Sequence, residues 1–192
     1  MAAPLALDLL WPLFLLAGLE QVRIDPGNTA FTPLDFVSYP YSHSLLMSVV
    51  WGVALGLAYW VGTRYLRGAL VLMLGVVSHW ILDFVTHRPD LLLVPGGRGR
   101  AGLGLWNSVG WTIALEAAML FAGVWVYARV TRPLDNVGRY SFWAFVLVLA
   151  GSYVSNVLGP PPPGAAFLAY FSLGLWLFPL WTWWFDGHRT SR

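Results

Sequence analysis

Ser78-His79-Trp80-Ile81-Leu82-Asp83-Phe84-Val85-Thr86-His87 closes an apolar segment that begins at Gly68. Read as a helix, it stacks His79, Asp83 and His87 on one face at successive i, i+4 spacings, among apolar and aromatic neighbours. A carboxylate and two imidazoles in such surroundings are costly unless they meet partners, a cation or water. The stretch therefore reads both as a membrane-spanning helix and as one wall of a site.

The rest of the chain carries the same signature. Of 192 residues, 58% are hydrophobic and 10% charged, against about 25% charged in a typical soluble domain. Apolar runs of about 20 residues recur, the length needed to cross about 30 Å of hydrocarbon. The expected fold class is all-α, a polytopic transmembrane helical bundle of about six spans forming a single integral membrane domain. The predicted helices cover residues 4–22, 42–63, 68–87, 107–128, 140–158 and 165–184. Pro12 is a tolerated kink in the first. The loop 23–40 is rich in Pro, Gly, Asn and Asp. The Gly- and Pro-rich loop after His87 is long enough to suggest a function of its own.

Composition also excludes several classes. There is no cysteine, hence no disulfide and no thiolate metal site. A formal net charge of +2, carried by scattered Arg residues with no Lys, does not suit a nucleic-acid partner. The first segment lacks a basic n-region and contains Asp8 and Glu20, so it reads as a retained helix and not a signal peptide. With six spans, Arg64, Arg67, Arg129, Arg132, Arg139, Arg189 and Arg192 share one face, against Arg23, Arg88, Arg98 and Arg100 on the other. That bias predicts both termini in the cytoplasm.

On the opposite face the ionisable groups converge. Glu20 closes the first helix, His43 opens the second, and His87, Asp83 and His79 descend into the third. At 1.5 Å per residue, His79 lies about 12 Å below His87. Imidazole and carboxylate together suit zinc foremost, with manganese or iron as other divalent transition metals. The candidate metal ligands are His43, His79, Asp83, His87 and Glu20. An open coordination position would let the ion activate water for hydrolysis, with Glu20 or Asp83 as general base. Arg88 and Asn107 are candidates for substrate contact, Arg88 because it can neutralise an anionic group. A lone intramembrane His is more often a packing residue than a ligand; the convergence of several is what favours a site. Asp8 reads as structural, and Glu116 as either a partner of the site or a separate buried hydrogen bond.

Tyr41-Ser42-His43-Ser44-Leu45-Leu46, followed by Ser78-His79 with Asp83 four residues later, then Thr86 and Leu91-Leu92-Leu93-Val94-Pro95, resembles the inner-membrane metal-dependent hydrolase family. The similarity covers about the first 110 residues. It implies a bacterial inner-membrane location and assigns His43, His79 and Asp83 as metal ligands, with Glu20 in the place of the acidic motif that closes the family's first helix. Two family features are missing: paired aspartates before a His-Pro, and an earlier His, near whose place Ser38 or Tyr39 stands.

The leading expectation is a metal-dependent hydrolase whose site faces the extracytoplasmic side and takes a lipid or lipid-linked phosphate or ester, with membrane lipids as partners. A metal-ion or proton-coupled transporter is the alternative, and a non-catalytic structural membrane protein the third. A transporter needs polar residues along the inner half of the bundle, where the sequence offers little beyond Asp8.

Overall fold

The computed structural model describes residues 2–192. Helix α1 (Ala2–Leu16) leads into a hairpin of β1 (Gln21–Ile24) and β2 (Leu34–Ser38), the single turn α2 (Pro40–His43), and the long helices α3 (Leu45–Thr63) and α4 (Leu66–Thr86). Strands β3 (Leu91–Leu92) and β4 (Arg100–Ala101) pair before α5 (Val109–Val130), β5 (Thr131–Pro133) and α6 (Asn136–Leu158). The chain ends with α7 (Ala165–Ser172), α8 (Leu177–Asp186) and β6 (Arg189–Ser191). Among the described residues, five helices are long and apolar enough to cross a membrane: α3, α4, α5, α6 and the run Ala165–Asp186, which joins α7 to α8. The fold is an all-α helical bundle, as the apolar runs predict.

The first segment departs from its expected bounds. The helix stops at Leu16 rather than residue 22, leaving 15 residues, or about 22 Å, short of the roughly 30 Å of hydrocarbon. Gly18 turns the chain with a φ of +71°, which only glycine adopts without cost. Residues 21–24 then pair antiparallel with β2, where Arg23 faces Asp35. The expectation that both termini are cytoplasmic rested on six spans, and five helices of spanning length do not support it.

The chain divides into two compact units. The first holds the chain up to Asn107 together with Pro161–Leu175. Its core joins Leu7 and Trp11 of α1, Tyr39, Val76 and Trp80 of α4, and Leu91. The α3–α4 hairpin is tight because α3 presents Gly52 and Gly56: a Cβ on either would stand 2.9 Å from a backbone carbonyl of α4, that of Met73 or Ala69. Small residues spaced this way let helix backbones approach where lipid removes the hydrophobic drive to associate. Arg64, in the left-handed region at φ 57°, ends α3, and its N–H donates to the Trp60 carbonyl. Beyond α4 the chain folds back under that helix's open end. Leu103 N–H donates to Phe84 O and Gly104 N–H to His87 O, so the glycine-rich loop satisfies carbonyls that a helix C-terminus leaves free.

The second unit holds Ser108–Pro160 and Trp176–Arg192. Phe142, Phe145 and Phe185 form its core, with Phe178 and Trp181 packed against them. Asp135 caps α6 by accepting from Gly138 N–H. Strand β5 pairs with β6. Glu116 lies close to the Tyr153 hydroxyl inside this unit.

Candidate metal centre

Three elements of the first unit bring ionisable side chains together: Asp8 from α1, His43 from the end of α2, and His79 with Asp83 from α4. Ligand atoms of Asp8, His43 and His79 all lie within 4.8 Å of one another. Asp8 Oδ1 stands 3.4 Å from His43 Nε2 and 3.7 Å from His79 Nε2. Asp83 Oδ2 stands 3.3 Å from His79 Nε2 and 3.9 Å from His43 Nε2. The i, i+4 spacing read from the sequence thus sets His79 and Asp83 side by side.

The outer nitrogens of both rings are anchored. His79 Nδ1 lies 2.7 Å from the carbonyl oxygen of Pro4, which only accepts, so this nitrogen carries the proton. His43 Nδ1 lies 2.7 Å from Ser42 Oγ, whose own hydroxyl hydrogen goes to Glu20 Oε2 at 2.7 Å. A hydroxyl has one hydrogen, so Ser42 can only accept from His43. With Nδ1 committed to donation, each ring turns Nε2 toward two carboxylates, and in the neutral ring that atom is the one left to bind a cation. Asp83 Oδ2 is buried and has no hydrogen-bond partner among the described residues. Such a set of lone pairs is stable only around positive charge, either protons or a cation. Two imidazoles and two carboxylates are the donor set of a divalent transition metal, and carbonyl or hydroxyl partners on the distal nitrogens are the usual outer shell of metal-binding histidines. The residues fit a metal.

Glu20 is close to this cluster without facing it. Its Oε1 accepts from the N–H groups of Tyr41 and Ser42, each at 2.8 Å, while Oε2 takes the Ser42 hydroxyl. It is 2% exposed, so its acceptor capacity is spent on the start of α2 and on Ser42. Glu20 therefore reaches His43 only through Ser42.

His87 belongs to a different set. It ends α4, and its ring and that of His43 both pack against Tyr39, with centroids 5.9 Å and 5.7 Å away. His87 Nδ1 lies 3.1 Å from Asp90 Oδ1, and its ring packs on Phe36 and Trp106. Tyr39 donates its hydroxyl to the same Asp90 oxygen at 2.6 Å. Burial alone would raise the Asp90 carboxyl, but hydrogen bonds from His87 and Tyr39, the His87 charge and the Arg88 hydrogen bond hold it below the usual carboxylate range. Burial and the Asp90 charge raise the Tyr39 phenol. Arg88 is committed to this network: it donates to Asp35, to Asn28 and to Asp90. Asn107, exposed at the end of a 3-10 turn, donates its backbone N–H to Gly104 O and makes no hydrogen bond to the cluster.

Of the residues singled out from the sequence, His43, His79 and Asp83 meet directly. Glu20 stands behind His43; His87, Arg88 and Asn107 lie elsewhere. Asp8 was the omission. A lone carboxylate in a 15-residue apolar helix carries the same signal that singled out Asp83, but a full first span would have put it at the far side of the membrane. No protein-family model matches the chain, and neither a curated protein nor a solved structure matches it.

Proposed function

We propose that the protein is a membrane-embedded metal-dependent hydrolase in which Asp8, His43 and His79 hold a divalent transition metal, with zinc the best match to the donor set. The observation that carries the reading is the convergence of two imidazole Nε2 atoms on Asp8 and on the buried Asp83 Oδ2. The resemblance of the His-Ser-Leu-Leu and Ser-His-x-x-x-Asp motifs to inner-membrane hydrolases supports it as well.

A metal held there supplies a Lewis acid that polarises an ester or phosphoryl oxygen. The chain's own groups do the remainder. Pro4 O and Ser42 Oγ fix the rings of His79 and His43, so that neither nitrogen pair has to reorganise during reaction. Asp83 Oδ2, which lies beside both Nε2 atoms without being one of the three ligands, is the atom that takes a proton from an attacking water. Five apolar helices fit association with membrane lipids, and the substrate class that follows is an ester or phosphoester of a membrane amphiphile. Arg88 has no part in this reading, because its guanidinium is occupied by Asp35, Asn28 and Asp90.

The test is metal content by inductively coupled plasma mass spectrometry on detergent-purified protein, wild type beside His79→Ala, followed by release of product from phospholipid and lipid-phosphate substrates. Near-stoichiometric metal that is lost in the variant, with metal-dependent turnover, is expected. Protein that neither retains nor takes up zinc or manganese would end the hydrolase reading. Stoichiometric metal with uptake into proteoliposomes and no turnover would favour the transporter.

A further inference from the structure

Glu20 and Ser42 are buried, 2% and 0% exposed, and neither faces the carboxylate cluster. Their hydrogen bonds nevertheless form a directed chain that ends on a candidate ligand. Tyr41 and Ser42 N–H groups donate to Oε1 of Glu20, Ser42 Oγ donates to Oε2, and His43 Nδ1 donates to Ser42 Oγ. Each link has one possible direction, because a carboxylate accepts, a backbone N–H donates and the hydroxyl has one hydrogen to give.

We propose that Glu20 is a positioning residue which, through Ser42 Oγ, holds His43 in the tautomer that turns an unprotonated Nε2 toward Asp8 and Asp83. The proposal rests on the metal reading above, and it gives the acidic residue in the turn between α1 and β1 a task other than ligation or base catalysis. Geometry explains why the carboxylate has to be there. Pro40 starts α2 and the turn runs only to His43, so the ring sits at the end of a four-residue element with little stiffness of its own. Glu20 holds two N–H groups of that turn with one oxygen and sets the hydroxyl with the other. One side chain thereby fixes both the backbone that carries His43 and the proton on its ring.

A change of one atom reverses the chain. In Glu20→Gln the amide oxygen still accepts from Tyr41 and Ser42 N–H, but the amide nitrogen donates to Ser42 Oγ. The Ser42 hydrogen then turns toward His43 Nδ1, and the ring proton moves to Nε2, where it blocks coordination. Ser42→Ala removes the acceptor altogether and leaves both tautomers open. Outer-shell partners of metal-binding histidines typically govern about 10- to 100-fold in affinity.

The experiment is a cobalt(II) titration of the chelator-treated full-length protein in detergent, read from the visible d–d absorption bands. It compares wild type, Glu20→Gln, Ser42→Ala and the double variant, each checked for fold by circular dichroism and gel filtration. Both single variants are expected to bind cobalt about 10- to 100-fold more weakly, with altered band intensity. The double variant should be no weaker than the worse single, since both act through one hydroxyl. Additive losses overturn the relay, because two independent structural defects would add. Equal binding by all four proteins overturns the relay and leaves the metal site standing. Failure of the wild type to bind cobalt overturns both. Should Glu20→Gln not fold, Ser42→Ala, which only deletes a hydroxyl, decides between weakened and unchanged binding.

Discussion

The Nδ1 of His79 donates to the carbonyl oxygen of Pro4 at 2.7 Å, tying the first turn of α1 to the second half of α4. Asp8 follows Pro4 by four residues, one turn along the same face, so the contact that orients the imidazole also sets the carboxylate beside it. Ala3 packs against Gly75 on the preceding turn of α4, where an added Cβ would meet it at 3.1 Å. The short first helix is therefore held in register against α4.

Asp8→Asn preserves shape and removes the charge. If Asp8 is a ligand, zinc affinity falls by more than the roughly 10- to 100-fold that accompanies loss of an outer-shell partner, while the helical signal in circular dichroism is unchanged. Competition titration against a chromophoric chelator measures this directly. Unchanged affinity would take Asp8 out of the ligand set.

His87→Ala separates the two histidine environments. His87 is 4% exposed, and its Nδ1 contacts Asp90 while its ring packs on Phe36 and Trp106. Its loss leaves a buried carboxylate short of a donor, a cost of about 1–3 kcal/mol. Thermal unfolding in detergent should shift down accordingly while metal content stays that of the wild type. Metal lost together with His87 would return this residue to the centre.

The contrast between His79 and His87 shows how far the sequence could be read. Helical periodicity alone placed His79 beside Asp83, because an i, i+4 relation inside one long helix survives any tertiary arrangement. His43 was legible too, from a short motif at a helix start. His87 shared the same face by spacing, yet it is the residue at which α4 ends, with an extended backbone at φ −67° and ψ 148°. Periodicity stops applying there, and local partners at Tyr39 and Asp90 decide its direction. Asp8 and the Ser42 link depend on contacts 35 or more residues apart in one case and on a hydroxyl's single proton in the other. No spacing rule encodes either. The apolar runs disclosed the long helices, whereas the hairpin of β1 and β2 fell on the end of the expected first helix and on a stretch whose Pro, Gly and Asn content read only as loop.

Acid should weaken the network around Asp90. Its folded carboxyl titrates below the ordinary value of about 3.9, so its contribution is complete above that value. The contribution is lost as pH falls through the lower folded value, since the unfolded chain then binds more protons than the folded one. The melting temperature of wild type minus that of Asp90→Asn should be larger at about pH 5 than below about pH 4. A difference that stays level into acid would show that Asp90 is not held ionised by His87, Tyr39 and Arg88.

Gly56→Leu tests whether the hairpin of α3 and α4 builds the centre. A Cβ at Gly56 would stand 2.9 Å from Ala69 O and 3.5 Å from the Met73 side chain, so the helices must separate to admit a larger residue. Overpacking of this kind costs about 1–3 kcal/mol. Gly56 is 13 positions from His43 in the chain, and α3 continues from the turn that carries this ring, while α4 carries His79 and Asp83. Moving α3 away from α4 therefore lengthens the distances between His43 Nε2 and Asp83 Oδ2, now 3.9 Å, without touching any ligand. The expected result is a lower melting temperature together with weaker cobalt binding. Gly62→Leu is the control, because nothing lies within 4 Å of a Cβ at that position of the same helix. A Gly56 variant that loses stability yet binds cobalt as tightly as wild type would mean that α1 and the α2 turn hold the ligands by themselves.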